Sequence, residues 1–146
     1  LGGNSVAETV VAGMIVGEFV ADYCEGAELE VSTKLLQEFV DRERAYLDNL
    51  CHGGKEDASA LRISMQEIMT SKVGIFRDGA DLQSAVDELA ELYRRSRNIG
   101  VASRAPGANP ELVTAYRTQK MLRLALTVAC GALARTESRG AHFRAD

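Results

Sequence analysis

The stretch from Asn109 to Leu133 constrains this chain more than any other. Asn109 can cap free backbone amides, Pro110 needs no N–H in a first turn, and Glu111 suits the positive end of a helix dipole. The helix so started is long, and residues 121–134 are apolar on nearly every side. A helix apolar all round must itself be surrounded, which makes this one the central helix of a bundle. Composition agrees: Trp is absent, prolines number 2, and aromatic residues make up 5%. The expectation is an all-α fold, and 146 residues form about one domain, large enough to bury a core without disulfide or metal.

Four further helices are expected. The first spans about residues 5–24 and carries so many apolar residues, Val6, Val10 and Met14 among them, that more than one face must be buried. Gly13 and Gly17 would let a neighbouring backbone approach closely. The second starts with Ser32 or Thr33 as cap and runs to about Cys51, with Leu36, Phe39, Val40, Leu47 and Leu50 on one stripe. Its outward charges, Glu38, Asp41, Arg42, Glu43 and Arg44, are read as solvent-facing pairs with no chemistry. The third runs from about Asp57 to Thr70 with Leu61, Met65, Ile68 and Met69 inward; this spacing makes the methionines core fillers. The fourth starts at Asp81 as cap, turns Leu82, Val86, Leu89 and Tyr93 inward, and ends in Arg94, Arg95, Arg97 and Asn98. Those arginines sit at the negative end of the dipole, a structural placement rather than a phosphate site. Between the third and fourth helices, residues 73–79 form a loop that is bounded by glycines, carries the bulky apolar Ile75–Phe76 pair and must dock. A connection over residues 99–108 precedes the fifth helix.

Charge and cysteine content narrow the partners. The formal net charge of −4 argues against nucleic acid. Residues 1–60 hold 4 basic and 12 acidic side chains, residues 61–146 hold 13 basic and 9 acidic, so the halves either attract or face different partners. Cys24, Cys51 and Cys130 are odd in number, which suits a reducing compartment, and with His52 and His142 as the only histidines a zinc site lacks ligands. The most apolar stretch, residues 6–23, carries Glu8, Glu18 and Asp22 and is not expected to span a membrane.

Two segments resist a reading as core. Residues 1–5, Leu-Gly-Gly-Asn-Ser, open the first helix with amides free to face an anion or a cofactor, and with no initiator methionine the chain reads as cut from a larger protein. Residues 135–144 are too rich in arginine, glycine and histidine for core and read as a docking segment. Taken with Val-Gly-Ile-Phe-Arg-Asp-Gly at 73–79, Ser-Arg-Asn-Ile-Gly at 96–100, Asn-Pro-Glu-Leu at 109–112 and Thr-Glu-Ser-Arg-Gly-Ala-His at 136–142, the chain closely resembles the flavoprotein subunit of fumarate reductase and succinate dehydrogenase. The resemblance spans the whole chain. L-Aspartate oxidase shares the first motif and a version of the second, and adenylylsulfate reductase is more distant.

That resemblance implies a three-helix, spectrin-repeat-like core with an additional N-terminal helix. Residues 1–26 would be the last helix of an FAD-binding domain and residues 27–146 a C-terminal helical-bundle domain. The parent enzyme would interconvert fumarate and succinate by hydride transfer with FAD. Gly3, Asn4, Ser5 and Val6 would contact the pyrimidine end of the isoalloxazine, where a helix N-terminus favours the negative charge of the reduced ring. The family's substrate-binding and proton-donating residues have no counterpart here, so no catalytic residue and no metal ligand is assigned, and the isolated chain is expected to be inactive and not to retain FAD. Arg139 and His142 fall on no catalytic position of the family and are read as docking residues against the FAD or capping domain. Expected partners are the remainder of the flavoprotein subunit and an iron–sulfur subunit that leads to a membrane anchor. The compartment implied is the cytoplasmic side of the inner membrane, a periplasmic form being the alternative. A different class of reading is a free-standing helical interaction module. On either reading the first helix, if left uncovered, is expected to fold back on the bundle or to mediate self-association.

Overall fold

A computed structural model describes residues 2–27, 31–103 and 107–146, with side chains from Ser5 onward. Five helices follow in order: α1 (Gly2–Gly26), α2 (Thr33–His52), α3 (Ala58–Lys72), α4 (Gly79–Ser96) and α5 (Pro110–Ala134). Two short strands, β1 (Phe76–Arg77) and β2 (Phe143–Arg144), pair in parallel, Phe76 opposite Phe143 and Arg77 opposite Arg144. The expected all-α class holds. The chain divides into two compact units, Leu1–Phe39 and Val40–Asp146.

The first unit contains α1 and the start of α2. Every described residue of α1 from Ser5 to Gly26 is exposed, Phe19 at 71% and Tyr23 at 76%. Among the described residues nothing lies within 4 Å of where a side chain would stand at Gly13 or Gly17. Ser32 caps α2, its hydroxyl accepting from the Leu35 amide at 3.4 Å. Leu35, Leu36 and Phe39 are exposed, so the apolar stripe expected along α2 is uncovered over its first half.

In the second unit, α3, α4 and α5 pack on one another around Leu61, Leu82, Leu89 and Leu122, each at most 1% exposed. Leu50 closes this core from the end of α2, with Tyr46 and Cys51 packed partly against it. Where α4 and α5 meet the core their buried positions include alanines, Ala85, Ala115, Ala125, Ala129 and Ala132, and small side chains let helix axes approach closely. Three caps are side-chain carboxylates or amides. Asp57 accepts from the Ser59 and Ala60 amides, Asp78 from Ala80 and Asp81, and Asn109 from Leu112. Asp78, not the expected Asp81, starts α4: its extended backbone ends the β1 segment and turns its carboxylate onto the next amides, leaving Asp81 inside the first turn.

α5 is more exposed than a central helix should be. Val113, Met121, Leu124 and Val128 of this helix are 39–65% exposed. Its surround is complete on the α3 and α4 side only.

The loop between α2 and α3 is closed by glycine. Gly54 has φ +23°, and a Cβ there would stand 2.0 Å from the Asn98 carbonyl oxygen. This approach lets the Glu56 amide bond the Asn98 carbonyl at 3.0 Å and the Gly100 amide bond the Glu56 carbonyl at 3.4 Å. Arg95 closes the same corner with a two-pronged bond to Glu56, 2.9 and 2.8 Å. Arg94 pairs with Glu91, and the Arg97 guanidinium lies 5.6 Å from the centre of the Tyr93 ring. The arginine cluster at the end of α4 is structural, as its place on the dipole suggested.

Candidate functional site

Of the four residues expected at the flavin, Gly3, Asn4, Ser5 and Val6, all lie in α1, which starts at Gly2 and not near Ser5. Leu1 lies outside the described residues, as do residues 104–106 of the connection before α5, and the side chains of Gly3 and Asn4 are not described. The earlier start matters. In an α-helix the first turn holds the amides without an internal partner, so the free donors fall at Gly3 and Asn4, while the Val6 amide lies inside the i to i−4 ladder. No acidic side chain occupies that first turn, so nothing within it competes with an outside anion for the positive end of the dipole. Ser5 and Val6 are exposed, and the Ser5 carbonyl accepts from the Thr9 hydroxyl at 2.8 Å.

Two other motifs meet in the second unit, across more than sixty residues of sequence. Parallel pairing of β1 and β2 is held by the Phe143 amide on the Ile75 carbonyl at 3.1 Å and the Ala145 amide on the Arg77 carbonyl at 2.8 Å. Arg77 is the hub: its Nε donates to the Gly74 carbonyl at 2.7 Å, its Nη2 to the Val73 carbonyl at 3.2 Å, and its Nη1 to His142 Nδ1. His142 is 6% exposed, and its Nε2 lies 3.0 Å from the Arg135 carbonyl oxygen.

The end of this segment closes two helices. α5 has no basic residue in its last turn; Arg144 supplies one, its Nη1 donating to the carbonyls of Leu133 at 3.3 Å and Arg135 at 2.9 Å. A cation placed on the last carbonyls of a helix satisfies them and meets the dipole favourably. Asp146 accepts from Arg144 at 2.7 and 2.9 Å and from the Gly79 amide at 3.0 Å, at the start of α4. The Arg144 guanidinium beside it and the Gly79 amide hold the Asp146 carboxyl well below the usual carboxylate range. Docking of residues 135–144 is thus partly internal, onto the loop after α3. The loop 73–79 docks onto this segment through backbone pairing and Arg77, while Ile75 and Phe76 stay 61% and 78% exposed, Phe76 meeting Phe143 edge-on at 5.5 Å.

Two further clusters carry titratable groups. Glu43 reaches α5, accepting from the Tyr116 hydroxyl at 2.8 Å with Lys120 at 3.6 Å, so it is a tie between helices and not a free surface charge. Tyr116, followed by Lys120, holds its carboxyl below the usual range. Beside it the Tyr46 hydroxyl is buried without a hydrogen-bond partner among the described residues, and burial pushes it up. A cleft of about 600 Å³ lies at the starts of α3 and α5, lined by Glu56, Asp57 and Glu111. All three carboxylates are taken, Glu56 by Arg95, Asp57 by its cap, and Glu111 by the Ala102 and Ser103 amides at 2.9 and 3.1 Å. Each of the three carboxylates thus already has a partner.

These features define a class: an all-α bundle of α3, α4 and α5, latched by a C-terminal segment and preceded in sequence by a helix with no acidic side chain in its first turn. Residues 62–146 match the family model described as the fumarate reductase flavoprotein C-terminus, and the chain belongs to that family. Over 147 residues it is 52% identical to the fumarate reductase flavoprotein subunit of Helicobacter pylori, covering 100% of this chain and 21% of that subunit. It is 30% identical to the succinate dehydrogenase flavoprotein subunit of Bacillus subtilis, covering all of this chain and 26% of that subunit. A solved quinol–fumarate reductase of E. coli superposes with a TM-score of 0.80 at 29% identity, over 96% of this chain and 24% of that one. The chain therefore spans about a quarter or less of the relatives it matches. Among the described residues no helix is long and apolar enough to cross a membrane.

Proposed function

We propose that this chain is the C-terminal helical part of an FAD-dependent flavoprotein that interconverts fumarate and succinate. The observation that carries the reading is the clip: two motifs first quoted for their resemblance, residues 73–79 and 136–142, meet through Arg77 and His142 inside a segment matched by the family model. On this reading residues 1–26 are the last helix of the FAD-binding domain and residues 27–146 the helical domain. The exposed apolar surface of α1 is the face the rest of the flavoprotein covers.

FAD, when bound, supplies hydride exchange with the dicarboxylate. This chain's contribution is to present the first-turn amides around Gly3 and Asn4, with Ser5 and Val6 beside them, to the pyrimidine edge of the ring. A helix start free of carboxylates suits that task, since it favours negative charge without a competing acid. Binding of the nucleotide half and all proton transfer fall to residues beyond this chain. Its partners are then the remainder of the flavoprotein and an iron–sulfur subunit leading to a membrane anchor, on the cytoplasmic face of the membrane.

Gel filtration of the 146-residue chain after incubation with FAD tests one consequence. The account expects flavin to elute apart from protein. Co-eluting flavin with fumarate-dependent oxidation of reduced viologen would sink the division of labour. The same run reads self-association through α1: elution above the monomer that Val10→Asp and Phe19→Asp reverse is the expected result.

A further inference from the structure

We propose that an exposed stripe of α5 receives α1 of a second copy of this chain, the two helices running antiparallel and the exchange being mutual. In α5, Arg117, Met121, Leu124 and Val128 follow one another at steps of four, three and four residues, which sets them on one side of the helix. Met121, Leu124 and Val128 are exposed, and Arg117 makes no hydrogen bond or ion pair among the described residues. Arg62 of α3 is likewise without one, and it lines with Arg117, Val113 and Met121 a cleft of about 160 Å³. The stripe is basic towards the start of α5 and apolar towards its end.

α1 carries the complement. It holds Glu8, Glu18, Asp22 and Glu25 and no basic side chain. Val11, Ile15, Glu18, Asp22 and Glu25 recur at steps of four, three, four and three residues, a stripe that is apolar first and acidic afterwards. Laid antiparallel, Val11 falls opposite Val128, Ile15 opposite Leu124, Glu18 opposite Met121 and Asp22 opposite Arg117, with Glu25 a turn further on, towards Val113 and Arg62. A parallel arrangement would set Glu18 and Asp22 on Leu124 and Val128 and bury their charge without a partner. The occupant is a second copy because the chain's own bundle leaves every described residue of α1 from Ser5 to Gly26 exposed. Two apolar stripes leave water together when they meet, and mutual exchange closes the pair under twofold symmetry with neither stripe left open. This names the surface that takes up α1 in the self-association expected of the chain without the rest of the flavoprotein; it rests on that expectation and not on the flavin contact.

Sedimentation equilibrium of the 146-residue chain reads the pairing. The expected result is a monomer–dimer equilibrium that Leu124→Asp shifts to monomer. Asp22→Arg and Arg117→Asp each set like charges opposite one another at both symmetric contacts, and each should weaken the dimer by about tenfold or more. Mixed in equal amounts, the two charge variants can form a heterodimer in which both contacts again join opposite charges, and there the wild-type affinity should return. Such recovery also shows that both variants fold. A chain that stays monomeric, with α1 solvated or folded onto its own bundle, would overturn the pairing. So would a dimer indifferent to Leu124→Asp or to the charge variants, or a mixture no tighter than its components. A dimer undone by Val10→Asp and Phe19→Asp but not by Leu124→Asp would keep self-association through α1 and overturn α5 as its receptor, so the two failures are told apart.

Discussion

Arg144 serves α5 in a way no residue of that helix does. Its guanidinium lies on the terminal carbonyls while its other edge grips Asp146, which reaches the first amide of α4. One residue pair thus closes opposite ends of two helices. Because the Asp146 carboxyl lies well below its ordinary value in the fold, it takes up its proton later in the folded chain than in the unfolded one. The stability it lends is whole above about pH 5 and lost as the pH falls below about 4. Urea midpoints should therefore drop more steeply between neutral and acid pH in the wild type than in Asp146→Asn, which starts lower at neutral pH. Parallel pH profiles would remove Asp146 from the account. The sequence carried one sign of this arrangement: α5 ends with no basic residue in its last turn, yet a segment with Arg135, Arg139 and Arg144 follows. Which arginine returns to the helix end is a three-dimensional fact, set by the turn at Gly140 with φ +61°.

At the scale of elements, helices with strong local signals were legible and their ends and faces less so. Asn109 with Pro110, and Asp57 ahead of the Leu61 and Met65 spacing, act through neighbouring residues, and both starts fall where the sequence put them. α4 misled because Asp78 and Asp81 are both plausible caps, and only the extended β1 pairing shows that Asp78 ends a strand as it starts a helix. Asp78→Ala should cost about 1 kcal/mol of unfolding free energy, and Asp81→Ala only a few tenths as a lost charge–dipole contact. Thermal unfolding of both variants decides between them; the reverse order would return the cap to Asp81. Faces were misjudged where the covering surface is not among the described residues. Leu36 and Phe39 follow a proper amphipathic spacing and are exposed, as are Leu124 and Val128 on α5. Periodicity tells that a face is apolar, not what buries it.

For the molecule as a whole, this chain is a helical unit whose own groups are occupied with holding it together. The carboxylates of its cleft are spent on caps and pairs, Arg94 and Arg95 on glutamates, and His142 on the clip. Among the described residues, exposed apolar side chains lie on α1, on the first half of α2, at Ile75 and Phe76, and on α5 at Val113, Leu124 and Val128. The flavin-contact assignment came from the Leu-Gly-Gly-Asn-Ser motif, whose chemistry lies in backbone amides and leaves little mark on composition. Its most direct test is a chimera in which these 146 residues replace the matching segment of the Helicobacter pylori fumarate reductase flavoprotein, to which they are 52% identical. The account predicts a folded subunit that binds FAD stoichiometrically and oxidises reduced viologen with fumarate, whereas a folded chimera without flavin or without turnover would contradict it.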